Sequence, residues 1–126
     1  MLKIRALTLD DIDKIREIHS LYYKDEFEFP DFMNNFLCSF SVLDCCDRIV
    51  SAGGVRLIAE SVVVTDKRFS TNDRRSALYQ VLDASEFIAK KADFSSLHAV
   101  TEDEKWKRHL INVGFHSRGS LLVLDL

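Results

Sequence analysis

Apolar and polar residues alternate from residue 2 to residue 7. Leu2, Ile4 and Ala6 fall on one face, Lys3 and Arg5 on the other, which is the period of a half-buried strand. Thr8-Leu9-Asp10-Asp11 then supplies an N-cap with acidic first-turn residues. Ile12, Ile15, His19 and Tyr22 follow at helical spacing, and Ile18 and Leu21 widen the stripe. Residues 25–30 are acidic and aromatic and hold the only proline. They read as a loop, or as a short second helix that starts near Pro30 and carries Phe32, Phe36 and Leu37. Residues 39–46 and 48–58 read as strands joined by a turn that Asp44 and Asp47 flank. Phe40 and Val42 share one face of the first, and Gly53-Gly54 marks a bulge or a close backbone contact in the second. Ala59-Glu60 reads as a tight turn into a strand over 61–65, which completes an antiparallel meander.

The second half changes period. A polar loop spans 66–75 and a long amphipathic helix runs from about Arg74 to Lys91, with Leu78, Val81, Leu82, Ser85, Ile88, Ala89 and Ala92 on one side. Residues 96–100 form a short buried strand. Thr101-Glu102-Asp103-Glu104 is a capping box for a last helix whose buried stripe is Trp106, Leu110 and Val113. Gly114 suits the left-handed position that ends a helix. Residues 121–124 form a closing strand. The order β-α-(α)-β-β-β-α-β-α-β predicts one α+β (mixed α/β) domain over residues 1–126. Its central sheet is mostly antiparallel, with a parallel pair joined by a crossover helix and helices on both faces.

Composition narrows the function classes. An apolar fraction of 47% is that of a globular chain. Seventeen Lys+Arg against twenty Asp+Glu give a net charge of −3, which disfavours a nucleic-acid coat. No apolar run approaches the ~20 residues of a membrane span, and the N-terminus lacks a signal-peptide core, so a cytoplasmic protein without membrane contact is expected. Cys38, Cys45 and Cys46 are odd in number and close together. They read as small apolar residues on or beside a buried strand, kept reduced, in preference to a zinc site with His98 or Asp44. His19, His98, His109 and His116 show no metal-ligand spacing, and neither a Gly-x-Ser-x-Gly elbow nor a Walker loop occurs. His98 reads as a hydrogen-bonded core residue or as one that looks into a cleft. His109 reads as a surface residue. The phenylalanines and tyrosines between Tyr22 and Phe40 read as core, with a pocket lining as the alternative.

The chemistry concentrates between Glu60 and Phe115. A strand, a loop bearing Lys67 and Arg68, and a helix start bearing Arg74 and Arg75 follow one another. The free N–H groups and partial positive charge of a helix start suit a phosphate or pyrophosphate. Two arginines at such a start call for an anion, either Asp73 or a ligand.

This order resembles the GNAT-type N-acyltransferases across nearly the whole chain. The resemblance implies that acetyl-coenzyme A lies where the fourth strand splays from the fifth. Its pyrophosphate would meet the loop that the family writes Arg/Gln-x-x-Gly-x-Gly/Ala. Here the aligned segment is Thr71-Asn72-Asp73-Arg74-Arg75-Ser76, followed by Ala77-Leu78. The family glycines are absent, and Arg68, Arg74 and Arg75 stand ready to replace amide contacts with guanidinium contacts. By the same resemblance Val62, Val63 and Val64 would hold the pantetheine arm through their backbone, and Glu60 would be the base, its carboxylate raised by an apolar sheet. The family's leaving-group tyrosine falls at Leu110, within His109-Leu110-Ile111-Asn112-Val113-Gly114-Phe115.

The resemblance therefore implies an N-acetyltransferase that moves an acetyl group from acetyl-coenzyme A to an amine, on a small molecule or a protein. It also allows a homodimer. The alternative is a GNAT-like binding protein without catalysis that acts on a host or viral macromolecule. Compact, divergent members of this kind are similar to proteins encoded by bacterial viruses, that is, phage proteins.

Overall fold

In a computed structural model, which describes residues 1–126, the alternating N-terminal segment forms β1 (Lys3–Ala6). A 3-10 turn over Leu9–Asp11 leads into α1 (Ile12–Tyr22). β2 (Phe36–Leu43) and β3 (Ile49–Arg56) follow. These strands make a three-stranded antiparallel sheet in the order β1-β2-β3. Ile4 pairs with Val42, Ala6 with Phe40, and Ser41 with Ala52. Asp44 builds the β2–β3 turn: its carboxylate accepts from the amides of Cys46 and Arg48 at 2.9 Å each and from Arg48 Nε at 2.7 Å. Asp47 takes the left-handed conformation there, with φ 61°.

One ion pair ties α1 to this sheet. Arg5 donates from Nη1 and Nη2 to the two carboxylate oxygens of Asp11 at 2.6 and 2.9 Å. The same carboxylate accepts from the Thr8 amide and from Ser41 Oγ, each at 2.9 Å. Asp11 is buried and Ser41 is fully so. These contacts pull the Asp11 carboxyl far below the usual carboxylate range, Arg5 contributing most.

Gly54 sits where β2 and β3 approach closely. A Cβ there would collide with the Cys38 carbonyl oxygen, whereas one at Gly53 would meet nothing within 4 Å. Gly54→Ala is expected to cost about 1–3 kcal/mol in urea unfolding, the range of local overpacking, and Gly53→Ala far less. Equal losses at both positions would remove the close-approach argument.

The second half builds a separate two-stranded parallel sheet. β4 (Ala59–Glu60) and β5 (Leu97–His98) pair Ala59 with Leu97 and Glu60 with His98. α2 (Thr71–Lys91) crosses between them, and α3 (Glu104–Asn112) follows β5. Gly114 takes φ 109° after α3, as its terminating role requires.

The mixed α+β reading and the crossover thus stand, with several corrections. One central sheet is replaced by two, because residues 59 and 60 pair with β5 and not with β3, while the Leu57 amide bonds to Asn35 O at 2.7 Å. Residues 61–65 are not a strand, since β5 ends at His98 and offers no further ladder. The segment after Pro30 makes turns, and Phe36 and Leu37 open β2. Residues 121–124 carry no regular structure, since β propensity without a paired neighbour does not make a strand. Cys45 and Cys46 are exposed in the β2–β3 turn, not beside a buried strand, and Cys38 is half-buried on β2.

Ile15, Phe32 and Leu43 form the core of the first half, and Leu82, Ala89 and Leu110 that of the second. The aromatic residues of the α1–β2 segment stack on one another, with Phe29, Phe32 and Phe36 in sequence and His19 against Phe27 and Phe29. The accessible surface is 10304 Å², against about 6,900 Å² for a compact monomer of this mass.

Candidate functional site

β4 and β5 run together for two residue pairs and then part. The last bond between them is Ser61 N–H to His98 O at 2.8 Å. Ser61 is buried and its hydroxyl meets Ser85 Oγ at 2.9 Å, which fixes the end of β4 against α2. Beyond that point the backbone N–H and C=O groups of residues 62–64 have no partner in the protein. Val62 and Val64 are 74% and 95% exposed.

A cavity of about 160 Å³ opens where the strands diverge. Glu60 to Val63 form one wall and Ala99 to Thr101 the other. Leu82 of α2 and Trp106 of α3 close it. Glu60, Val62 and Val63 were expected at a site on sequence grounds. Ser61, Leu82, Thr101 and Trp106 were not, because each reads equally well as core or cap. Only the register of residues 59–60 on 97–98 brings them together. Val64 lies beyond the cavity wall.

The expected phosphate loop is arranged differently from its sequence reading. Ser70 is the N-cap of α2 and its hydroxyl accepts from the Asp73 amide at 3.1 Å, so the helix starts at Thr71 and not near Arg74. The Arg74 amide is consumed by Ser70 O at 3.0 Å. The free donors are the amides of Thr71 and Asn72, which have no acceptor in the protein. Asp73 is the acidic first-turn residue that complements the helix dipole.

The cations divide sharply. Arg68 is clamped by Asp66, its Nε 3.1 Å from both carboxylate oxygens and its Nη2 2.8 Å from one. That contact raises the arginine and lowers the aspartate from their ordinary pKa values. Arg74 is half-buried; its Nη2 donates to Thr71 Oγ1 at 3.3 Å, while its Nε is enclosed without a partner. Arg75 is exposed. Ser76 Oγ accepts from Gln80 Nε2 at 3.3 Å.

The start of α3 is a contrasting case. Asp103 caps it, accepting from the amides of Lys105 and Trp106 at 2.9 and 3.2 Å. Those two bonds, with the nearby charge of Lys67, hold the Asp103 carboxyl below its ordinary range. Asp103 occupies that end, whereas the amides of Thr71 and Asn72 at the start of α2 have no acceptor in the protein.

His98 is half-buried, with Nε2 3.2 Å from Ser96 Oγ, and it does not line the cavity. Burial lowers its pKa, and the charges of Arg56 and Arg118 lower it further, against an opposing contribution from Glu60. His109 is half-buried beside Trp106, with ring centroids 6.3 Å apart. Leu110 is 4% exposed and brings no proton donor to the core it fills.

No family model matches the chain, and no curated protein matches it. No helix is long and apolar enough to cross a membrane.

Proposed function

We propose that the chain is a GNAT-type N-acetyltransferase that transfers an acetyl group from acetyl-coenzyme A to an amine. One observation carries this reading: a parallel strand pair parts after two residues, and leaves the peptide groups of 62–64 unpaired beside a cavity. Unpaired strand-like peptide groups bind an extended amide-bearing arm as a further strand would. The pantetheine arm of coenzyme A is such a ligand.

The residues fit the rest of the molecule. The amides of Thr71 and Asn72 would take the pyrophosphate, with the guanidinium groups of Arg74 and Arg75 alongside. Arg68 is left out, because Asp66 already holds it. Thr71 lies about 16 Å along the helix from Leu82, at 1.5 Å per residue, so the ligand is elongated, with its anionic end at the helix start and its thioester at the cavity. When bound, the cosubstrate supplies the activated acetyl group. The amine nitrogen bonds to the carbonyl carbon, the carbon–sulfur bond breaks and sulfur leaves as thiolate. Glu60, on the cavity wall, takes the amine proton directly or through a water. Backbone amides of 62–64 would polarise the carbonyl.

Titration calorimetry with acetyl-coenzyme A tests this, with a saturable heat and a raised melting temperature as the expected result. The double substitution Arg74→Ala, Arg75→Ala is expected to weaken binding about ten- to hundredfold, the scale of one charge-assisted contact. Absence of heat at millimolar ligand overturns the reading. Unchanged affinity in the folded double variant removes the arginines from the site and leaves the helix amides.

Leu110 favours a second reading, a GNAT-like binding protein without catalysis that acts on a host or viral macromolecule. A buried aliphatic residue stands where the resemblance expects the leaving-group acid. Binding of acetyl-coenzyme A without transfer to any amine is the result this reading expects.

A further inference from the structure

We propose that Cys45 and Cys46 form a dithiol site in the β2–β3 turn that takes a trivalent arsenical, one arsenic atom bridging the two sulfurs. Both side chains are exposed, and their Sγ atoms lie 3.8 Å apart. Consecutive residues of an extended chain point to opposite sides, and the turn brings these two to the same side. A centre bonded to sulfur at about 2.3 Å, the length of a zinc–thiolate bond, spans that gap at an angle of about 110°. That angle belongs to a pyramidal or tetrahedral centre. A linear centre with the same bonds would need sulfurs about 4.6 Å apart, and a direct disulfide needs about 2.0 Å.

The turn holds the pair in place. The Asp44 carboxylate accepts from the amides of Cys46 and Arg48 and from Arg48 Nε. The Asp44 amide donates to Arg48 O at 3.0 Å, and the Asp47 amide donates to Asp44 O at 3.2 Å. Carboxylates beside a thiol oppose formation of the thiolate, which is the species that attacks. Here each flanking carboxylate already has a cation: Arg48 lies 2.7 Å from Asp44, and Lys3 lies 2.6 Å from Asp47.

The donor set favours arsenic over zinc. A structural zinc takes four protein ligands, and no third His, Cys, Asp or Glu completes a metal-binding group with these two. Cys38 is remote, since the strand from it to Leu43 covers about 17 Å at 3.3 Å per residue. Two soft thiolates satisfy an organic arsenic(III) centre, whose third bond is to carbon. With an arsine oxide, R–As=O, two As–S bonds form and the arsenic–oxygen bond breaks. The oxygen leaves as water with both thiol protons. Arsenic stays trivalent, so the step needs neither oxidant nor reductant.

Intact-mass spectrometry of the reduced chain treated with phenylarsine oxide is the test. One adduct is expected, with the mass of the probe less one water. Excess mercaptoethanol should leave it in place, because a monothiol must displace two linked bonds, and ethanedithiol should remove it. Cys45→Ser and Cys46→Ser, with unchanged far-ultraviolet circular dichroism spectra, are each expected to lose the mercaptoethanol-resistant adduct, and Cys38→Ser to keep it. Asp44→Ala, which loosens the turn, is expected to weaken capture about tenfold, the scale of a lost hydrogen bond. No resistant adduct on the unaltered chain, or one that persists in Cys45→Ser or Cys46→Ser, overturns the proposal. Equal capture by Asp44→Ala overturns the part given to the turn. Zinc retained in native mass spectrometry that blocks the adduct overturns the choice of centre. Acetyl-coenzyme A takes no part in this experiment, so its result is independent of the function proposed above.

Discussion

Asp11→Ala is expected to lower stability by about 2–3 kcal/mol and the melting temperature by about 10 °C. The carboxylate accepts four hydrogen bonds, two from Arg5, one from the Thr8 amide and one from Ser41 Oγ. Removing it strands Ser41, which has no access to water, and leaves the Arg5 charge without its partner. The arginine side chain is 41% exposed, so water compensates part of that loss and the figure stays below that of a fully buried pair. The pH dependence has a definite sign. The folded state holds the Asp11 carboxyl below its unfolded value. Its contribution is therefore complete above the ordinary carboxylate range, about pH 4, and is lost as pH falls through the folded value. Urea unfolding at neutral and acid pH checks both parts: the gap between the unaltered chain and the Asp11→Ala variant should close as pH is lowered. A gap that does not narrow would mean that packing, not charge, makes the difference.

Local rules carried the reading of this chain a long way, and failed where pairing decides. The alternation of Leu2 to Ala6 and the helical stripe through Ile15 each act within a few residues, and the strand and helix they predict are present, though β1 is exposed along its whole length and not half-buried. The last helix is present too, but Asp103 caps it, and not the expected box of Thr101 and Glu104. Gly54 was legible as a close contact because only a residue without a side chain tolerates it. Residues 61–65 and 121–124 carry the β-branched and aliphatic side chains of strands. A strand needs a neighbour, and no local rule says that β5 ends at His98. α2 starts three residues before the expected Arg74, because the Ser70 hydroxyl accepts from the Asp73 amide and caps the helix there. The correction exchanges the arginine amides for those of Thr71 and Asn72 as the open donors. Glu60, Val62 and Val63 were singled out by the resemblance, and they line a cavity. Trp106 and Leu82 were not, because a helix stripe toward a core and one toward a cavity have the same spacing.

Glu60→Gln is expected to lower the turnover of acetyl transfer by ~10²–10⁴-fold, the usual contribution of a general base. The substitution keeps shape and polarity and removes the basic lone pair, so acetyl-coenzyme A affinity should stay nearly unchanged. Glu60 closes β4, pairs in register with His98 and forms part of the cavity wall with its side chain open to solvent. A proton taken from the amine can therefore pass outward. Burial lowers the His98 pKa, and the charges of Arg56 and Arg118 lower it further. The acidic limb of the pH–rate profile should disappear in Glu60→Gln, because that limb reports protonation of the base. The departing sulfur has no comparable help. Leu110 is buried and aliphatic, so in the proposed reaction the thiolate would take its proton from water, and slow turnover of the unaltered chain is expected. Leu110→Tyr supplies a phenol at the cost of burying a hydroxyl, about 1–3 kcal/mol where it finds no partner, so its rate must be read beside its melting temperature. Full activity in Glu60→Gln assigns the base elsewhere. Acetyl-coenzyme A bound by the unaltered chain, with no acetyl reaching any amine or protein tested, turns the decision to the non-catalytic reading.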